Sequence, residues 1–221
     1  MLNLRQVAIR SGLATALYLF GGLLLGFLVA SWFSGLPMHM PQSANVLLSA
    51  GIALTSVGGF SALWGRTIAR LCHLQQPRRI AWAAFVSFGP VLILAGFGLS
   101  ALEVAIVERG HGVSLPLHWT FTLLFVPAVF LVTGVVGLVL GAVSGGRSLA
   151  WRSALGTGLA GGAAFLLVDL VLYGLGWEVG APGAAQRATM LTVMFSGNLG
   201  ASLAGGAVLG AILGDHESRN I

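Results

Sequence analysis

Residues 119–176 read WTFTLLFVPAVFLVTGVVGLVLGAVSGGRSLAWRSALGTGLAGGAAFLLVDLVLYGLG. Two apolar runs, 119–143 and 153–176, are parted by a short gap that holds Arg147 and Arg152, and Asp169 is the only charge inside either run. A bilayer core about 30 Å thick takes roughly 20 mostly apolar residues to cross as a helix, so each run is long enough to span one. The same reading extends outward to 13–33, 46–64, 80–106 and 188–213. These six stretches predict an all-α, polytopic membrane protein of six transmembrane helices. With only short gaps between them, residues 1–221 are expected to form a single transmembrane domain.

Composition points the same way. Hydrophobic residues make up 57 % of the chain and charged residues only 8 %, too little polar surface to cover a water-soluble fold. Arg5, Arg10, Arg66, Arg70, Arg78, Arg79, Arg147, Arg152 and Arg219 fall before the first stretch, in alternate gaps and after the last. Only Arg109 and Arg187 fall in the other gaps, and lysine is absent. By the positive-inside rule both termini are cytoplasmic, which predicts a multi-pass protein of the cell inner (plasma) membrane. The basic residues are juxtamembrane, so the high isoelectric point reflects orientation and lipid headgroups, and no nucleic-acid partner is expected. Residues 13–33 follow two arginines, as a signal peptide would. Their apolar run exceeds a signal core and reads as a transmembrane helix. Cys72 is the only cysteine, which excludes an intrachain disulfide.

The stretches pair into three helical hairpins, near 1–66, 78–146 and 151–214. Small residues recur at four-residue spacing, as at Thr133, Gly137, Gly141 and Gly145, and at Ser202, Gly206, Gly210 and Gly214. Such stripes let helices approach closely in lipid. Pro90 and Pro127 lie within apolar runs and are expected to kink them. Between Arg66 and Arg79, apolar and basic residues alternate at roughly helical spacing up to Pro77, the pattern of a short basic helix on the headgroups. Arg66, Arg70, Arg78 and Arg79 are candidate contacts for lipid or for a cytoplasmic partner docking at 66–79.

An ionisable residue in an apolar zone is a functional candidate by default, and Asp169 is the clearest. Ser196 and Asn198 lie at similar depth on the next stretch, and Asn198 is expected to donate to the Asp169 carboxylate. Asp169, Asn198 and Ser196 therefore form the candidate ligand or ion site, with a plain clip between the last two helices as the structural alternative. On the opposite face of the membrane from the arginines, Met38-His39-Met40-Pro41 sets two thioethers around an imidazole, donors suited to a soft cation. The string is similar to the amino-terminal Met-His-x-Pro motif of cobalt and nickel uptake membrane components. There the motif opens the chain; here it follows a whole apolar stretch, and Gln42-Ser43 replaces the acidic-glycine continuation. Four residues match, and no family is assigned on them. Met38, His39 and Met40 stay secondary metal candidates, and no metal or cofactor is assigned.

No histidine pair sits mid-stretch to hold a haem, and Asp169 lacks the second carboxylate or serine-histidine pair of an intramembrane hydrolase. Enzyme is therefore the weakest class. The expectation is a non-enzymatic accessory or assembly subunit of a larger membrane complex, packing through glycine-rich helix faces against the bilayer and other membrane-protein subunits. The alternative is a membrane-embedded substrate-binding or transport component for a small solute or cation, with its site near Asp169 and Asn198.

Overall fold

Wherever the backbone is described it is helix or short connecting turns and irregular residues, with no strand among the described residues. The computed structural model describes residues 3–22, 24–25, 28, 42–88, 117–177 and 185–219. Helix α1, Leu4–Thr15, starts at Asn3, whose side chain accepts from the Gln6 backbone N–H, and runs on through a π-helical turn at Ala16–Phe20. Helix α2 is Gln42–Leu71, and α3 covers 77–88 with Pro77 at its first position, where the missing N–H costs nothing. The long helical segment Leu117–Gly174 leaves helical geometry at Gly145 (φ −156°, ψ 18°) and Gly146 (φ 80°, ψ −164°), which divides it into α4 (117–144) and α5 (147–174). Helix α6 is Ala185–Ser218.

The basic stretch 66–79 is not the separate surface helix its periodicity suggests. Residues 66–71 are the last turns of α2, which stops in a Schellman turn: the Leu74 N–H reaches back to Ala69 O at 2.8 Å and the His73 N–H to Arg70 O at 3.2 Å. His73 takes the left-handed position usually left to glycine, at φ 55°, while Leu74 is buried beneath it. Helix α5 ends in the same motif with Gly176 in that position, at φ 85°. Backbone dihedrals stay helical through Pro127; Pro90 lies outside the described residues.

Neighbouring helices run antiparallel and close on one another through small residues. A side chain at Gly141 would meet Leu149 and Ala150, one at Gly137 would meet Ser153 and Thr157, and one at Gly134 would face Ala154. Helix α1 lies along the stripe of α6, with Thr15 over Gly206, Ser11 over Gly210, and Leu4 and Val7 over Gly214. Trp64 of α2 is buried against α1 and donates its indole N–H to Thr15 Oγ1 at 2.8 Å. The glycine stripes of α4 and α6 are thus occupied from within the chain, while Gly51 and Gly59 of α2 face open space.

This packing brings the start of α1, the α2–α3 turn, the α4–α5 turn and the end of α6 to one end of the bundle. Leu4 and Val7 lie by Gly214, the Cys72 thiol faces Gly210 O at 3.7 Å, and Gly145 abuts His216. The nine arginines of the alternating pattern belong to these segments, and all are exposed. Asp215 ties two of them together, at 2.9 Å from Arg219 and 3.9 Å from Arg152.

The surface is apolar as well as the core. Leu17 (69 %), Leu159 (62 %) and Leu167 (64 %) are exposed, while Ser11, Thr15, Ser61, Ser153, Thr157 and Asp169 are buried. Among the described residues, two helices are long and apolar enough to cross a membrane, His118–Gly174 and Thr189–Ser218. The described helices therefore pass that test in two places, not six, and the first of the two is itself the folded pair α4–α5.

Candidate functional site

The α4–α5 turn determines which side chains meet far from it. Because the two helices leave Gly145-Gly146 antiparallel, residues equidistant from the turn lie opposite each other. Carried outward from Gly137 and Gly134, that register sets Thr122 against Asp169 and His118 against Tyr173. Both contacts are present. Thr122 Oγ1 lies 2.5 Å from Asp169 Oδ2, and the His118 imidazole stacks on the Tyr173 ring with centroids 4.5 Å apart. Trp119 closes the group, with its ring 5.5 Å from His118 and 5.4 Å from Tyr173. One turn nearer the hairpin tip, Phe165 is buried among Phe121, Phe125 and Val193 and forms an apolar floor.

Asp169, His118 and Thr122 are all buried, the first two with no exposed surface. His118 Nε2 stands 3.7 Å from Asp169 Oδ2, too far for a good hydrogen bond and close enough for an ion pair when the imidazole is protonated. Asp169 Oδ1 has no hydrogen-bond partner among the described residues. A bare carboxylate in such a place is costly, and the cost falls when it is paired or takes up a proton.

Thr122 has one hydroxyl proton and two acceptors in reach: Asp169 Oδ2 and, at 3.0 Å, the His118 carbonyl one turn back on its own helix. With Asp169 ionised, the hydroxyl donates to the carboxylate, the shorter and charge-assisted bond. With Asp169 protonated at Oδ2, the carboxyl donates to Thr122 Oγ1 and the threonine proton turns to the His118 carbonyl. Rotation about one C–O bond keeps Asp169 Oδ2 hydrogen-bonded in both protonation states.

The other expected members of the site lie elsewhere. Asn198 is half-buried on α6 and donates its Nδ2 to Met194 O at 2.8 Å, within its own helix. Ser196 is half-buried on the same helix. Asp169 turns away from both because α5 meets α6 through other residues: a side chain at Gly197 would meet Phe165, and one at Gly200 would meet Val168. Among the described residues, the polar side chains that meet Asp169 come from α4. His118 and Thr122 were legible in principle as an i, i+4 pair on one face, equidistant with Tyr173 and Asp169 from the double glycine. Met38, His39 and Met40 lie outside the described residues. Among the described residues no three His, Cys, Asp or Glu side chains gather as metal ligands. Arg66, Arg70, Arg78 and Arg79 are exposed at the arginine-bearing end.

No protein-family model, curated protein or solved structure matches this chain.

Proposed function

We propose that the chain is a six-span membrane protein with both termini cytoplasmic, and that it is a transport component for a small solute or cation in which the His118–Thr122–Asp169 cluster binds and releases a proton. The observation that carries the proton site is the Thr122 hydroxyl, poised between Asp169 Oδ2 and the His118 carbonyl so that charged and neutral carboxyl are both hydrogen-bonded. The many exposed large apolar side chains support the bilayer setting, and the gathering of nine exposed arginines at one end supports the orientation.

Infrared difference spectroscopy on the reconstituted chain tests the proton site. A carboxylic-acid carbonyl band should fade as pH rises, disappear in Asp169→Asn and shift in Thr122→Val. A pH-dependent carbonyl difference spectrum that is the same in the unaltered chain and in Asp169→Asn would refute it.

The accessory-subunit reading has one observation in its favour, the exposed Trp82 and Trp151, which are large apolar anchors suited to a neighbouring helix. The small-residue faces of α4 and α6 are filled from within the chain by α5 and α1, whereas Gly51 and Gly59 of α2 have open space beside them. Mild extraction should then yield a co-purifying membrane protein that is lost on Trp82→Ala or Trp151→Ala; a lone stable chain would count against a complex.

A further inference from the structure

At the opposite end of the α4–α5 hairpin from Asp169, a cavity of about 340 Å³ opens between the α2–α3 turn, the end of α4 and the end of α6. Its polar lining is Gln75, Gln76, Arg79, Ser144, His216 and Glu217. The volume falls in the range of small-molecule sites. Four observations separate it from an ordinary crevice between turns.

Arg79 and Glu217 line the same cavity with opposite charges, yet among the described residues neither forms an ion pair. Ser144 Oγ is buried and has no hydrogen-bond partner among the described residues. Gln76 holds a left-handed backbone at φ 62° without being glycine, a strain often found at ligand sites. The wall is also closely fitted, since a side chain at Gly145 would come within 2.5 Å of His216 Nε2.

A cation and an anion held apart across a small polar cavity complement a ligand carrying both charges. We infer that this cavity binds a zwitterion that pairs a phosphodiester or phosphomonoester with a primary ammonium, the chemistry of an ethanolamine phosphate headgroup. Arg79 takes the phosphate through its forked N–H donors, with the amides of Gln75 and Gln76 beside it. Glu217 accepts from the ammonium, and the Ser144 hydroxyl supplies the remaining donor. A quaternary ammonium has no N–H for Glu217, and a headgroup with no cation leaves Glu217 facing the phosphate. The site is independent of any proton chemistry at Asp169.

Native mass spectrometry of the full chain, released from detergent with lipids of identical acyl chains, reads the selectivity. Phosphatidylethanolamine should be retained roughly ten-fold over phosphatidylcholine and phosphatidylglycerol, the worth of one charged hydrogen bond. Arg79→Gln should bring phosphatidylethanolamine down to the phosphatidylcholine level. Glu217→Gln should raise phosphatidylglycerol to parity with it or above. Calorimetric titration with O-phosphoethanolamine distinguishes the sources: binding of this free compound without retention of the lipid assigns the same chemistry to a soluble ligand. Should Arg79→Gln not elute as the folded chain, Glu217→Gln decides alone. No preference for the ethanolamine group in either format, or a preference unchanged in Glu217→Gln, overturns the assignment.

Discussion

Thr122 is a small residue with a large consequence for the polar seam of α4 and α5. Thr122→Val keeps its shape and removes its hydroxyl, leaving Asp169 Oδ2 without its donor. The loss should lower stability by about 1–3 kcal/mol, read as an earlier unfolding midpoint in detergent, with Thr122→Ser restoring most of it. Equal midpoints for Val and Thr would mean that the hydroxyl holds nothing in place. Cys72 makes a contrasting case. Burial pushes its thiol up to about 12, the Ser11 hydroxyl offsets part of that, and the Glu217 carboxylate adds to it. Its folded value is raised, so the thiol stays protonated through neutral and mildly alkaline pH and gains thiolate only as pH approaches that value. The folded chain should therefore react with a maleimide at neutral pH far more slowly than the denatured chain.

Sequence alone carried the residue scale unevenly. Asp169 stood out because a charge in an apolar run is conspicuous. Its partners did not, because a histidine at a helix start and a threonine within an apolar helix have many bland uses. Asn198 looked suitable by depth, but depth along a helix says nothing of azimuth, and Phe165 and Val168 had already taken the α6 side of α5.

At the scale of elements, the glycine stripes of α4 and α6 are seams within the chain and that of α2 is open, so glycines in the two settings carry opposite predictions. Gly206→Leu would drive a side chain into Thr15, and Gly137→Leu into Thr157 and the Ser153 carbonyl. Each should cost about 2 kcal/mol or more, because backbone and buried groups cannot step aside. Gly59 faces open space on α2, so Gly59→Ala should be neutral or stabilise by up to about 1 kcal/mol. Thermal unfolding of the three variants should separate them, and a Gly206→Leu midpoint at or above that of Gly59→Ala would contradict the seam. The helical periodicity between Arg66 and Arg79 was misleading for a related reason. It continued the face of α2 and then met a Schellman turn, whose left-handed residue is His73 and not the glycine that would have announced it.

At the scale of the molecule, antiparallel contacts gather at one end the segments that carry the nine arginines of the alternating pattern. Cysteines placed singly at Arg78, Arg147 and Arg219 in a Cys72→Ala background should all be labelled from the same side of sealed vesicles. Labelling of any one from the opposite side would break the topology. The apolar stretches foretold the helices well, while the helices run past the apolar windows: α2 spans Gln42–Leu71 where hydropathy marked 46–64, and α6 spans Ala185–Ser218 where it marked 188–213. Hydropathy reports the layer a helix crosses, and backbone hydrogen bonding carries the helix beyond it.

The Gly145-Gly146 break makes the hairpin a caliper whose two jaws meet at Thr122 and Asp169. Its reading depends on the number of residues along each arm and hardly at all on their apolar identity. Removing one residue between Gly146 and Asp169 would slide the carboxylate by about 1.5 Å and swing it by about 100° around α5, off the α4 seam and into the place of Val168, against Gly200 of α6. Exposed positions of the arms such as Leu159, Leu167 and Val171 can exchange among leucine, valine and alanine at modest cost. The length of the arms is fixed, and a change of length in either arm would silence the site without touching any residue in it.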